Sequence, residues 1–380
     1  MKMVSSIFFV FFALSCAGLR VNRLLTVAPG DWTTMAGAST RTNRSSSIVI
    51  PPLVEAWQYN TIAGITATPL VRDSVIVLGT LNGEIQVVNF SNGKRISYVS
   101  LDAPIAGTPV WDGMNVIVPL SSANSSLISM SLKGLERPWS ISIGPIESSP
   151  LILGEHVYVT TLEGKAYCVN LEDGSEVWKF KTEIKGNGKP IRSSPASDGE
   201  TIFFGSDDGN VYAVGGKQGN LQWKFQTKGS VFANPIILEK QIVVGSLDGC
   251  VYCLQSENGK LVWTFDTKSM IYGAASTDGK RVFIGAANGT CYALDAKAGL
   301  PLWSVPTKSV INTPPLVVGN IVYVGSLDRT LRAFEADTGK DLWQYSAPGR
   351  IKVSPVSWGN MILLISEDRL LIALKPPGNL

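Results

Sequence analysis

Four stretches of the sequence carry residue types that could do chemistry. Cys250-Val-Tyr-Cys253 has the spacing of half a metal or redox site, and His156 is the only histidine. Gly215-Gly216-Lys-Gln-Gly219 has the glycines and lysine of a phosphate loop, and Gly205-Ser-Asp-Asp-Gly209, with relatives at Asp248 and Asn288, offers oxygens to calcium. Each reading fails on its own requirements. On a strand the thiols of residues 250 and 253 point to opposite faces about 10 Å apart, past the roughly 7 Å limit for a disulfide, and no second such pair exists in the chain. A triad or a histidine-rich metal site needs partners that a lone histidine lacks, so His156 reads as a strand-end residue. A phosphate loop opens a helix, whereas Gly219 leads into Leu-Gln-Trp-Lys-Phe, a strand pattern. Calcium asks for roughly six to eight oxygens, and the Asp-Gly pairs have the form of tight hairpin turns. There is no Gly-x-Ser-x-Gly elbow and no Walker loop. The sequence therefore assigns no catalytic, cofactor-binding or metal-binding residue.

The elements that carry these stretches are repeats. The phrase Ala293-Leu-Asp-Ala-Lys-Ala-Gly-Leu-Pro-Leu-Trp303 recurs without gaps at 168–178, 213–223, 253–263 and 333–343, each time with a small residue first, Gly seventh and Trp eleventh. The glycine serves a turn that needs positive φ, and the indole is too large for a lone hairpin to bury, so each copy must lean on the next. Trp223, Trp263, Trp303 and Trp343 stand 40 residues apart and Trp178 stands 45 before Trp223, the period of a four-stranded propeller blade. The same ruler finds Trp139, Ser97 in a Trp slot, and Trp57, giving eight positions. Cys168 and Cys253 fill the slot of Ala213, Ala293 and Ala333, as small buried residues would. No disulfide is expected.

The last copy stops at Lys375-Pro-Pro-Gly-Asn-Leu380, where a Trp-bearing outer strand should begin, and Glu55-Ala-Trp57-Gln-Tyr-Asn60 precedes the first full period without a blade of its own. Joining the two closes a ring and removes sheet edges. The fold predicted is all-β, an eight-bladed propeller of four-stranded antiparallel blades over 51–380, closed by an N-terminal strand on the last blade.

With 45% hydrophobic and 17% charged residues there is ample core and no sign of disorder. A net charge of +3 gives no reason to expect nucleic acid. Residues 1–15 have a short positive start and an apolar run, Val4 to Leu14, too short for the roughly 20 residues of a membrane-spanning helix. They read as an export signal. Ala13-Leu-Ser-Cys16 resembles the lipobox of bacterial lipoproteins, in which the cysteine becomes the lipidated first residue. Ala13 departs from the larger aliphatic residue usual there, and ordinary cleavage or an uncleaved anchor are the alternatives. By the same resemblance Ala17 favours the outer membrane. Residues 16–50, with Asn43-Arg-Ser-Ser-Ser47 and no lasting period, read as a tether.

Asp31-Trp32-Thr-Thr-Met35-Ala-Gly37, with Arg41-Thr-Asn43 and Pro51-Pro-Leu53, resembles the opening of exported proteins with repeats of the pyrroloquinoline-quinone type, and the repeat phrases resemble that superfamily's tryptophan-docking motif. In size, lipid signal and blade number the chain is most similar to the BamB-like outer-membrane assembly lipoproteins, scaffolds of the machinery that inserts β-barrels. That resemblance implies a non-catalytic scaffold facing the periplasm, monomeric in its propeller, anchored to the membrane through Cys16, with a β-barrel insertase as partner. In such proteins the connection equivalent to 183–192 carries a Leu-x-Leu-Arg patch on the partner. Ile191 and Arg192 match its second Leu and Arg; Lys189 departs from its first Leu, and Ser230-Val-Phe232 stands where an acidic pair is expected one blade on. Ile191, Arg192 and Phe232 are the candidate contacts, on connections whose Lys185, Lys189, Lys228, Lys268, Lys308, Arg350 and Lys352 form either a basic rim for an acidic partner or a solvated rim balanced by Asp207, Asp208 and Asp248. Quinone-dependent dehydrogenases share the repeat, but the adjacent-cysteine disulfide and the Glu, Asn and Asp calcium cluster of that group have no equivalent here. A quinoprotein oxidoreductase and a small-ligand sensor at the channel mouth stay open as alternatives, and a soluble periplasmic or secreted location stays open beside the outer membrane.

Overall fold

The computed structural model describes residues 21, 31–113, 115–134, 136–182 and 188–378. The export signal, Cys16 and the first half of the 183–192 connection lie outside them. Among the described residues the strands form eight sheets: blades 1 to 7 span 70–100, 110–141, 151–181, 196–226, 236–266, 276–306 and 316–346, and blade 8 joins 356–375 to the closing strand Val54–Asn60. Closure is antiparallel, with Trp57 opposite Ala373 and a bulge at Glu55/Trp57. Within a blade the chain runs inner strand to outer strand by hairpins, as in Ala196–Ser197, Thr201–Gly205, Asn210–Gly215 and Leu221–Gln226. The connection between blades and the second hairpin of each blade therefore emerge on one face, called here the mouth face. The first and third hairpins emerge on the opposite face.

The repeat phrase is a docking device. Its first and eleventh residues are cross-strand partners (Cys168 and Trp178, Ala213 and Trp223, Cys253 and Trp263, Ala293 and Trp303), so the small side chain makes room for the indole across from it. The indole then reaches the third hairpin of the following blade. Trp263 donates from Nε1 to Ala296 O at 3.0 Å, and the same bond joins Trp57 to Phe90, Trp139 to Leu171, Trp178 to Gly216, Trp223 to Ser256 and Trp303 to Ala336. Beneath the ring lies the seventh-position glycine: at Gly299, with φ of 68°, a Cβ would stand 2.5 Å from the Trp263 ring. The second lock lies on the mouth face, where an aliphatic residue of each connection seats against the second strand. Ile311 leaves so little room that a Cβ on Gly285 would meet it at 2.0 Å.

Two positions break the pattern. Trp343, assigned a docking role by its spacing, has no glycine turn to reach, because blade 8 takes its outer strand from the N-terminus. It stays half-buried, stacked on Tyr345 with centroids 6.2 Å apart. Between blades 1 and 2, Ser97 replaces the indole.

The larger difference concerns the segment read as a tether. Residues 31–45 run along the inner strands, which have one unpaired edge each. Trp32 exchanges backbone hydrogen bonds with Val71 of blade 1, Thr33 O accepts from Trp111 of blade 2, Ser39 O from Ser197 of blade 4, Thr40 O from Ile237 of blade 5, Thr42 O from Thr277 of blade 6 and Asn43 O from Val317 of blade 7. Blade 8 is reached by Asp31, which accepts from Trp358 Nε1 at 2.9 Å. Blade 3 is reached by Arg41, fully buried, which donates to Ser149 O and Pro150 O there as well as to Pro195 O, Met35 O and Thr34 Oγ1. An inner edge that would need water finds backbone instead. Residues 31–45 are thus part of the propeller and occupy its axis.

Candidate functional site on the mouth face

Each connection between blades presents the residue that follows its buried aliphatic. In register around the mouth these are Thr66, Ala106, Glu147, Arg192, Phe232, Tyr272, Asn312 and Lys352. Neighbours in this ring touch: Arg192 Nε lies 3.5 Å from Glu147 Oε2, its guanidinium lies 5.4 Å from the Phe232 ring centre, and Thr66 Oγ1 donates to Ala106 O at 3.2 Å. The fold therefore brings Arg192 and Phe232 together. It does not bring Ile191 to the surface. Ile191 is fully buried against Cys168, Trp178 and Phe204, and its backbone N–H donates to Thr161 O. It seats the connection and exposes nothing for a partner to touch. Sequence reasoning missed Tyr272, 38% exposed, and Met270, 47% exposed. The repeat register that singled out Phe232 places Tyr272 in the same slot one blade on. Phe232, Met270 and Tyr272 form an apolar arc over blades 4 to 6, with Arg192 at one end. Aromatic and arginine anchors of this type carry most of the energy in protein interfaces.

Arg192 is held from below by Asp207 of the neighbouring hairpin. Burial pushes the Asp207 carboxyl upward and Arg192 pulls it back down; its Oδ1 is buried without a hydrogen-bond partner. The guanidinium is thus a counter-ion as well as a surface group. Three of the remaining rim cations are balanced by carboxylates. Lys268 pairs with Asp266, Arg350 and Lys352 share Glu367, and Asp248 and Asp328 accept from the backbone N–H groups of Lys228 and Lys308. The rim is thus neutralised in part, and the side chains of Lys189, Lys228 and Lys308 are exposed to solvent.

The other chemistry-bearing stretches resolve into structure. Asp208 Oδ1 accepts from Asn210 N and Oδ2 from the Tyr212 hydroxyl, and Asp248 repeats both contacts with Cys250 N and the Tyr252 hydroxyl, so these carboxylates brace hairpins. His156 and Gly215-Gly216-Lys217 meet in one open cleft of about 540 Å³ on the face opposite the mouth, floored by the Tyr158 hydroxyl donating to Gly216 O. Gly215 ends a strand beneath Asn220 and Gln222, and Gly216 lies against Glu200 O in the turn before an outer strand, as their place in the repeat requires. The four described cysteines are free. Burial pushes Cys168 up to about 11 and Cys253 and Cys291 up to about 12, and raises half-buried Cys250. Thiol titration of the folded propeller at pH 8 is expected to find only Cys250 reacting on the minute scale, with the other three appearing after denaturant, because the thiolate is the reactive species. Fast native reaction of three or four of them would contradict this packing.

The molecule is thus an eight-bladed propeller with tryptophan-docked blades, an occupied axis and an apolar, arginine-flanked arc on one face. The family model described as outer membrane protein assembly factor BamB matches residues 53–180, 163–271 and 247–377, and the chain belongs to that family. Among solved structures it is similar to BamB from Moraxella catarrhalis (16% identity, TM-score 0.72, covering 85% of this chain and 99% of that one). It is also similar to the quinohemoprotein alcohol dehydrogenases ADHIIG from Pseudomonas putida HK5 (15%, 0.78, 93% and 81%) and from Comamonas testosteroni (15%, 0.76, 89% and 77%). At such identities these likenesses define the fold alone. No curated protein matches the sequence.

Proposed function

We propose that the protein is a non-catalytic scaffold of the bacterial envelope, anchored through a lipid on Cys16, that docks a β-barrel insertase or a similar envelope protein by its mouth face. The observation that carries the reading is the arc of Arg192, Phe232, Met270 and Tyr272 on connections held rigid by the buried Ile191, Val231 and Ile271. Rigid loops keep the ordering cost of association low. The family match supports the envelope and the assembly role.

The test separates contact from support. Phe232→Ala with Tyr272→Ala removes surface only, and is expected to weaken co-purification with the insertase at least tenfold while leaving Tm within about 2 °C. Arg192→Ala is a poorer probe, because it strands the Asp207 carboxylate. Unchanged capture by the double variant would overturn the docking assignment. A quinoprotein reading is favoured by the dehydrogenase likenesses. Against it stands the axis itself: a channel-bound quinone would have to displace Arg41 and Asn43 from the Ser149-Pro150, Pro195 and Pro315 carbonyls. A quinone absorption band in the purified protein, with alcohol or sugar oxidation, would establish that rival.

A further inference from the structure

We propose that the outer rim at the junction of blades 1 and 2 is a membrane-facing surface that takes anionic lipid headgroups. The observation begins with the one inner junction that lacks its tryptophan on the donor side. Where Ser97 stands in the Trp slot, the carbonyl that the indole would cap belongs to Leu132, the fourth residue of the blade 2 phrase. The equivalent carbonyls, Phe90, Leu171, Gly216, Ser256, Ala296 and Ala336, each accept an indole N–H. Leu132 O accepts instead from the backbone N–H of Val21 at 2.9 Å, and the Val21 side chain, 7% exposed, packs with Val99, Leu101 and Leu132. Val21 takes the place of the missing indole.

This fixes where the chain meets whatever precedes it. A tether running from residue 16 to residue 50 would let the propeller range more than about 100 Å from its anchor, whereas five residues separate Cys16 from Val21 and span at most about 17 Å whatever path they take. Resting on the anchored reading given above, an acylated Cys16 therefore holds this side of the propeller within about 17 Å of the headgroup layer. The rim is chemically suited to that place. The third hairpins of blades 1 and 2, residues 89–95 and 132–138, carry Lys94, Arg95, Lys133 and Arg137 against the single acid Glu136, all exposed, beside Ile96 at 44% exposure. The same hairpin is acidic in blade 3, with Glu172, Asp173 and Glu176, and in blade 7, with Glu335, Asp337 and Asp341 against Lys340. Clustered lysine and arginine beside an exposed apolar side chain bind anionic bilayers by charge attraction and shallow insertion. Because the tryptophan slots lie toward the face opposite the mouth, this orientation leaves Arg192, Phe232 and Tyr272 directed away from the bilayer side of the disc.

The test uses the full chain carrying Cys16→Ser, so that no acyl chain contributes, and vesicles of phosphatidylcholine with or without phosphatidylglycerol. The parent is expected to sediment with the anionic vesicles and not with the neutral ones. Lys94→Glu/Lys133→Glu/Arg137→Glu is expected to lose at least tenfold in affinity. Lys260→Glu/Lys297→Glu/Lys340→Glu, which reverses as many charges on the hairpins of blades 5 to 7, is expected to lose less than twofold. Should the first triple lower the Tm, the corresponding glutamine triple replaces it, with at least a threefold loss expected. Equal losses for the two triples, or no preference of the parent for anionic vesicles, overturn the surface. Mass spectrometry of the unaltered protein tests the anchor separately: an unacylated Cys16 with a rim-specific vesicle signal would sink the anchored reading and leave the surface, and an acylated Cys16 with equal triples would do the reverse.

Discussion

Arg41→Met is expected to lower the unfolding free energy by about 3 kcal/mol and Tm by roughly 4 °C, the larger part of it from backbone groups that lose their partner. The Arg41 guanidinium is fully buried, and among the described residues it faces no carboxylate. Its donors go to Pro195 O, Ser149 O, Pro150 O, Met35 O and Thr34 Oγ1, which ties blades 3 and 4 to the N-terminal segment. Methionine fills most of the volume and none of the bonds, stranding four carbonyls inside the axis. Burial also pulls the Arg41 pKa down from 12.5 to about 9. The sign follows from linkage: a base whose folded pKa lies below its unfolded one holds its proton less tightly when folded, so its charge costs stability below about 9. That cost fades as pH rises from there toward 12.5. The loss on substitution is therefore smaller than five charged hydrogen bonds would give, and about 3 kcal/mol reflects both terms. Arg44→Ala is the contrast, since its guanidinium is exposed and reaches only Asp278 O at 3.1 Å; less than about 0.5 kcal/mol is expected. Calorimetry checks the ranking. Hydrogen exchange checks the cause, since the amides of Ser197, Ile237, Thr277 and Val317, which donate to the segment, should exchange faster in Arg41→Met and not in Arg44→Ala.

The architecture was legible because it is written several times over. A glycine that must tolerate positive φ beneath the preceding blade's indole, six residues after a small residue that faces the indole of its own blade, is a local demand, and repetition makes a local demand visible. The closing strand was legible for a related reason, since a tryptophan strand without a blade and a blade without a tryptophan strand complete each other. The segment 31–45 escaped because nothing in it repeats. Each of Thr33, Ser39, Thr40, Thr42 and Asn43 serves a different blade through its backbone carbonyl, so the side chains carry neither a period of two nor one of 3.6. Arg41 and Asn43 were visible as part of a family opening, yet a polar segment bonded through its main chain has the composition of a linker.

The mouth face was half legible for the same physical reason. Register alone put Arg192 and Phe232 on adjacent connections, and they do stack. Ile191 was misread because a short motif gives residue types without their direction. The alternation that seats Ile191 in the core is the one that presents Arg192, and seven sibling positions, Ile65, Ile105, Ile146, Val231, Ile271, Ile311 and Ile351, are buried with it. Reading across the copies rather than along one connection would have returned Tyr272 as well. Val21 lay beyond reach of any pattern: its role exists only because Ser97 leaves open the carbonyl of Leu132, 35 residues after it.

Among the docked indoles, Trp263→Ala is expected to cost about 4 kcal/mol and roughly 5 °C of Tm. Trp263 is 7% exposed, lies over Gly299, and donates to Ala296 O at 3.0 Å. Alanine leaves a cavity between blades 5 and 6 and a carbonyl without its donor, and the small Cys253 opposite cannot expand to fill it. Trp343→Ala should cost about half as much, because that indole is half-buried, stacks only on Tyr345, and finds no carbonyl for its Nε1 among the described residues. Gly299→Val attacks the same contact from the other blade. Its Cβ would stand 2.5 Å from the ring at a φ of 68°, so it should match or exceed Trp263→Ala. If the two act on one dock, the double variant falls well short of the sum, with a coupling of at least about 1 kcal/mol. Full additivity, or equal losses at Trp263 and Trp343, would mean that the indoles stabilise their own blades and that the joints between blades are held by something else.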